Sequence, residues 1–217
     1  MLSVLAQEDF ITYNRVSKRY HLGLELHILA GAAHQFMIRD RFRIALEKIA
    51  HETGDTAFLL IRSGNDALCI DRVEGKFPIR TVPIDIGVRR PLGIGAGSLA
   101  LIAFLPPEQM EPILSANARR FPQYKNLILE DIRSLASDSR RVGHVVSEGL
   151  FHEGVISMGI PVFDQKGEVI AAITVSSIAQ RMEEKRRAKI YQNVKKIIRM
   201  EDLESFKGME SLSNGKK

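Results

Sequence analysis

The sequence predicts an α+β fold in which a mainly antiparallel sheet is flanked by helices. Strand-like segments between Thr56 and Ile86, and again between His144 and Ser176, enclose a block of helical segments. Strands grouped apart from helices favour antiparallel pairing over βαβ crossovers. The turn signals Ser63-Gly-Asn-Asp66 and Asp164-Gln-Lys-Gly167 join successive strands as hairpins. The chain has 217 residues, 45% of them hydrophobic and 26% charged, enough apolar material to bury a core without staples.

Each element has its own signal. Leu2 to Glu8 reads as a short helix with Leu2 and Leu5 on one side and no residue before it to cap it. The segments Phe10–Tyr13 and Arg19–Leu22 alternate, and the polar Asn14–Lys18 joins them into a hairpin closed by Gly23. An apolar helix is expected from Leu24 to Met37. A second helix, Arg41 to Ala50, carries Phe42, Ala45, Leu46 and Ile49 at helical spacing and stops at Gly54.

Thr56–Arg62 and Ala67–Val73 read as paired strands, and Phe77–Ile86 as a third of edge character because of Pro78 and Pro83. A glycine-rich loop, Gly93 to Gly97, leads into helices over Ser98–Leu105, Glu108–Arg120 and Leu127–Arg141. The last of these is expected to bury Ile128, Ile132, Leu135 and Ala136. Strands follow at His144–Ser147, Gly154–Phe163 and Glu168–Ser176. A basic helix, Ile178 to Met200, buries Ile190, Val194, Ile197 and Ile198, and a polar tail is expected from Leu203.

The net charge is +5, yet eight Lys or Arg between Arg181 and Arg199 face only Glu183 and Glu184, more than the whole surplus. A solvated helix face is the expected meaning of that run, with a phosphate-binding stripe as the sharper alternative. The apolar run Leu92–Leu105 spans 14 residues and contains three glycines, short of the ~20 needed to cross a membrane. No basic-then-apolar leader opens the chain, so a cytoplasmic protein is expected.

Little in the residues is set up for catalysis. Cys69 is the one cysteine and lies in an apolar run, so a buried strand residue is expected there. The histidines His21, His27, His34, His51, His144 and His152 form no zinc-ligand spacing. No nucleophile elbow, phosphate loop or dinucleotide fingerprint occurs. No metal and no cofactor is expected. The glycines at 93, 95 and 97 have two readings: they let backbone N–H groups converge on an anion, or they let a helix approach the sheet closely. The hydroxyls of Ser147, Ser157, Thr174 and Ser176 stand in otherwise apolar strands, with Thr174 and Ser176 on one side and Ile173 and Val175 on the other. They either face solvent or offer a small polar ligand neutral hydrogen-bonding groups.

The order of these segments resembles the IclR-type bacterial transcription regulators. The stretches carrying the likeness are Gly143-His-Val-Val-Ser147, Gly154-Val-Ile-Ser157 through Pro161-Val-Phe-Asp164, and Gly167-Glu-Val-Ile-Ala-Ala-Ile-Thr-Val-Ser176. Arg90-Pro-Leu-Gly-Ile-Gly-Ala-Gly97 with its apolar helix, Leu68–Glu74, and Leu5–Gly23 extend it over about residues 2–200. The resemblance implies a GAF-like effector-binding domain over 39–202 and a linker helix over 23–38, and the polar composition of 203–217 leaves a flexible tail. Residues 1–22 are similar to the C-terminal remnant of a winged helix-turn-helix head, with 1–8 resembling the end of its recognition helix and 9–22 its wing.

The same resemblance implies an effector pocket at Ala96, Gly97, Ser147, Ser157, Thr174 and Ser176, and backbone contacts to DNA from Arg15, Lys18 and Arg19 in the wing. Three departures mark this chain: Leu150 stands where the family's signature has Glu, Gly93 where it has His, and Ser147 where an acidic residue is frequent. The function implied is a ligand-responsive regulator and not an enzyme. It is expected to take a small organic acid, to read operator DNA through its full head and to act as a homodimer or tetramer, with no membrane partner. The alternative is a stand-alone metabolite-binding module without a DNA role.

Overall fold

The structure, a computed structural model, describes residues 1–32 and 34–214. The chain falls into two compact units that divide between Asp40 and Arg41. The first begins with α1 (Leu2–Gln7) and the antiparallel pair β1 (Ile11–Asn14) and β2 (Arg19–Leu22), in register from Ile11 opposite Leu22 to Asn14 opposite Arg19. The Asn14 side chain shapes the hairpin turn by accepting from the backbone N–H groups of Val16 (2.9 Å) and Ser17 (3.0 Å). The Gly23 amide closes the ribbon by donating to the Phe10 carbonyl at 2.8 Å.

Helix α2 covers Leu24–Ala32, and α3 covers His34–Thr53. The expected helix over 24–37 and linker over 23–38 include Ala33, which lies outside the described residues. The expected start of a separate helix at Arg41 is corrected. Ile38-Arg-Asp40 contains no breaker, so the helical run enters from His34, and it ends at Gly54 with φ +72.

The second unit is built on one sheet with strand order β5-β4-β3-β8-β7-β6, every described pair antiparallel. These strands are β3 (Thr56–Ser63), β4 (Asp66–Val73), β5 (Arg89–Pro91), β6 (Val145–Glu148), β7 (Val155–Phe163) and β8 (Val169–Ile178). The central strands β3, β8 and β7 are apolar on both faces, as strands covered on both sides must be. One expectation fails here. Phe77–Ile86 is not a strand; it crosses as irregular chain, and the edge pairing falls to Arg89–Pro91. Pro78 and Pro83 remove ladder donors in that segment.

The two faces are covered differently. On one, Phe58, Leu60, Cys69 and Ala172 join a core with Leu92, Ile94, Leu99 and Ile102. This core is roofed by α4 (Ala96–Ala100), whose five residues are all buried, and by α6 (Leu129–Val142). Between them run α5 (Pro107–Asn117) and a 3-10 turn, Ala118–Gln123. On the other face, Ala57, Leu59, Ile173 and Val175 are fully buried, as are Phe42, Ala45, Leu46 and Ile49 of α3. Arg43 of α3 reaches Asp71 of β4 at 3.0 Å on that side.

α7 (Glu184–Asn214) buries Ile190, Val194, Ile197 and Ile198 as the spacing predicts. Its Asn193 donates to Glu52 of α3 at 2.6 Å. The helix continues through Asn214, past Leu203 where a polar tail was expected. Glu, Leu, Lys and Met, good helix formers, make up half of residues 203–214. Residues 215–217 lie outside the described residues.

Ile128 and Leu135 are exposed, 56% and 40%, while Ile132 and Ala136 are buried. Ile128 precedes the first helical residue, and its amide is capped by Asp131 Oδ2 at 2.8 Å, so it stands off the helix stripe. The expected helix Ser98–Leu105 shortens to Ala96–Ala100 and then unwinds into turns before Pro106-Pro107.

Candidate functional site

The sheet register lines up hydroxyls across four strands. Thr56 of β3 pairs with Ser176 of β8, Ser176 with Ser157 of β7, and Ser157 with Ser147 of β6. Directly opposed residues share a face in an antiparallel pair. The next row is Phe58, Thr174, Gly159 and Val145. Thr174 and Ser176 therefore share the face that carries α4, as their spacing predicts, with Ile173 and Val175 buried on the other.

α4 sits very close to that face, and glycines make this possible. A Cβ at Gly97 would collide with Thr174 Oγ1, and one at Gly159 with the Ala96 carbonyl. Of the two readings of the glycine loop, close helix–sheet approach is what these contacts express. Gly95 has φ +89, and a Cβ there would come within 2.8 Å of the Phe151 ring.

Under α4 lies a small cavity of about 30 Å³, room for one or two water-sized groups. Ala96, Gly97, Ser157, Thr174 and Ser176 all line it. Ser157 and Ser176 share a hydrogen bond of 2.6 Å between their hydroxyls. Thr174 is 6% exposed, and no group among the described residues bonds its Oγ1. A buried hydroxyl without a partner costs about 1–3 kcal/mol.

Ser147 does not join them. It lines a separate cavity of about 330 Å³ with Lys125, Glu148, Leu127, Ile132 and Leu150. Gly95 borders both cavities, and the Phe151 ring lies against it. The loop between β6 and β7 thus turns a shared row of hydroxyls into two compartments.

Several lining residues were not among the expected pocket residues, Phe58, Pro83, Phe151 and Arg90 among them. Arg89 and Arg90 are adjacent and indistinguishable in sequence, but the strand separates them. Arg89 pairs with Leu68 and donates to Ser63 Oγ at 2.6 Å on the exposed side. Arg90 pairs with the buried Ala67 and turns toward the cavity. Its guanidinium lies 3.4 Å from the centroid of the Phe151 ring and donates to the Pro83 carbonyl. Burial lowers its pKa from the ordinary arginine value, with Tyr124 and Cys69 acting in the opposite sense. An arginine still stays charged in such surroundings. Cys69 itself is fully buried, and burial pushes its thiol up to about 12, an inert strand residue as its apolar neighbours suggest.

The basic run at 181–199 is partly structural. Arg181 and Arg186 converge on Asp55 at 3.1 and 2.6 Å, Asp55 also accepts from Ser177 at 2.7 Å, and Arg187 pairs with Glu148 at 2.8 Å. Lys185, Lys189, Lys196 and Arg199 remain exposed. In the first unit, Arg15, Lys18 and Arg19 sit exposed on the hairpin turn and the start of β2, with Lys18 at φ +55. Among the described residues no group of three or more His, Cys, Asp or Glu is placed to hold a metal; the side chains of His27 and His34 lie outside them. No helix of the described residues is long and apolar enough to cross a membrane.

Known proteins share this architecture. The family model for the C-terminal region of the IclR bacterial transcriptional regulators matches residues 30–200. The HTH-type transcriptional regulator KipR of Bacillus subtilis is 26% identical over 202 residues, covering 90% of this chain and 78% of that protein. The HTH-type transcriptional repressor AllR of Escherichia coli K12 is 29% identical over 193 residues, covering 86% of this chain and 69% of its own. These relatives are regulators, in line with the expectation of no enzyme.

Among solved structures, the IclR protein of Thermotoga maritima aligns with a TM-score of 0.72 at 23% identity, covering 94% of this chain and 82% of that one. An IclR homologue from Microbacterium hydrocarbonoxydans, solved as a complex with 4-hydroxybenzoate, aligns with a TM-score of 0.78 at 19% identity and covers 93% of this chain and 82% of its own. Both share the antiparallel α+β fold. With the family model spanning most of the chain and the relatives agreeing, this chain belongs to the IclR family of bacterial transcriptional regulators.

Proposed function

We propose that residues 39–202 form an effector-binding domain that takes a small organic acid under α4, and that effector occupancy controls DNA binding in the cytoplasm. The observation that carries this is Thr174 Oγ1, buried without a partner beside the Ser157–Ser176 hydroxyl pair. Such a group is costly unless a ligand completes it. Ala96 and Gly97 supply backbone to the same wall, and Ser147 would meet a larger ligand from the neighbouring cavity. That a related structure was solved with 4-hydroxybenzoate supports an organic acid as the class.

In the same reading, residues 1–22 present the wing of a winged helix-turn-helix head, and residues 23–38 are its linker. Arg15, Lys18 and Arg19 stand where the turn would meet phosphates, a contact that positions without reading sequence. Operator recognition by paired heads calls for a homodimer or tetramer.

The test is Ser157→Val, which removes one hydroxyl of the pair and keeps the strand. Native mass spectrometry of the purified chain identifies any retained small acid, and calorimetry compares its affinity for the two proteins. Loss of binding with an unchanged circular dichroism melt is expected. Equal affinity removes the hydroxyl site from the reading.

A further inference from the structure

We propose that Arg90 reads the effector's negative charge: an entering carboxylate draws the guanidinium off the Phe151 ring and into an ion pair at the hydroxyl cavity. This rests on the effector reading above and assigns its charge selectivity to a residue outside the hydroxyl set.

Arg90 borders the same cavity as Ser157, Thr174 and Ser176. It is only partly exposed, and among the described residues it has no carboxylate partner. Three other arginines of this unit do have one, whereas Arg140 bonds the Ala103 and Leu105 carbonyls. Arg120 pairs with Asp66 at 2.6 Å, and Arg181 and Arg186 pair with Asp55. What holds Arg90 is weaker: one bond to the Pro83 carbonyl and the face of Phe151. A stacked guanidinium is held by the ring face less strongly than by the bidentate, charge-assisted pair a carboxylate can supply inside a cavity. The exchange is therefore downhill for an anion and uphill for a neutral molecule.

Geometry supports the same direction. The cavity of about 30 Å³ admits a carboxylate-sized group and little else while Phe151 and Arg90 stay stacked. Thr174 Oγ1 offers a second bond to that group. Phe151 packs edge-on to Tyr124, centroids 6.0 Å apart, and against Gly95, the residue common to both cavities. Release of Arg90 frees the ring that lies over this shared wall. Acid entry at the small cavity then gives the rest of the molecule access to the larger one. A neutral analogue has no means of releasing it.

The experiment is calorimetric titration of four proteins, the wild type, Arg90→Gln, Arg90→Lys and Ser157→Val, with two acid–amide pairs. The pairs are 4-hydroxybenzoate with 4-hydroxybenzamide and pyruvate with pyruvamide. At least one acid is expected to bind the wild type at least tenfold more tightly than its amide. Arg90→Gln should abolish that ratio by weakening acid binding. Arg90→Lys should retain part of it, since a point charge survives without the planar fork.

The ratio is internal to each protein, so a general loss of fold lowers both affinities and does not mimic the result. If Arg90→Gln keeps the wild-type ratio while Ser157→Val loses binding, the assignment of Arg90 is overturned and the hydroxyl site stands. If neither variant changes any affinity, or if no probe binds the wild type, the hydroxyl site fails and this proposal fails with it.

Discussion

At Thr174 the proposed ligand role is set against stability. Its hydroxyl is buried in a strand, unbonded, with Gly97 kept bare above it. Thr174→Val replaces it with a methyl of the same shape. The variant should gain about 1 kcal/mol of stability, because an unpaired buried hydroxyl is a net cost. Its affinity for a small acid should fall. Urea unfolding of the two proteins measures the first effect, and a destabilised variant would show that the hydroxyl has a partner in solution. The residue was visible in sequence as a hydroxyl among Ala, Ile and Val. Its missing partner was not, because satisfaction is a property of what surrounds the atom. Arg90 and Phe151 were invisible for a related reason. They are 61 positions apart in the chain, and no periodicity links a strand end to a loop tip.

At the scale of elements, the site depends on how far α4 can descend onto β7 and β8. Gly159 is the contact that decides this, since a Cβ there would strike the Ala96 carbonyl, backbone that cannot rotate away. Gly159→Ala should cost about 1–3 kcal/mol, the range for overpacking a tight contact. The expected readout is a lower melting temperature together with weaker acid binding, since the cavity lies under the displaced helix. An unchanged melt would mean that α4 is not packed this closely.

Helices with a strong apolar stripe, α3 and α7, were legible because 3.6-residue spacing is written in the sequence itself. The same signal misplaced Ile128, which precedes its helix, and Leu135, which faces the larger cavity. Phe77–Ile86 misled for another reason. Its residues have strand propensity, but strand identity is conferred by a partner, and β4 takes Arg89–Pro91 instead.

In the second unit as a whole, the beginning and end of the sheet are stitched by one buried carboxylate. Asp55, 1% exposed at its side chain, holds Arg181, Arg186 and Ser177 across more than 120 residues of chain. Arg181 also lies 3.7 Å over the Phe77 ring. Asp55→Asn leaves two arginines facing a neutral amide and should destabilise this unit by about 3 kcal/mol, the scale for breaking a buried pair. Chemical denaturation with a single cooperative transition would measure it. A loss under 1 kcal/mol would mean that water solvates the pair freely. This cluster also explains why the basic run at 181–199 overstated the charge available to a partner: Arg181, Arg186 and Arg187 are already committed within the fold.

Composition, hairpin turns and helical spacing were enough to establish an antiparallel α+β chain, its helical block and the candidate hydroxyls. These are local or short-period properties, and local sterics and burial set them. Membership in a regulator family was legible in the ordered segments from Leu5 to Ser176. Which hydroxyls meet was settled by folding. Register placed Ser157 and Ser176 within 2.6 Å, while the β6–β7 loop turned Ser147 into another compartment. The glycine loop had two readings until α4 lay against Gly159 and Thr174. Cavities, stacking and unmet hydrogen bonds arise between segments distant in the chain, and spacing along one segment carries no trace of them.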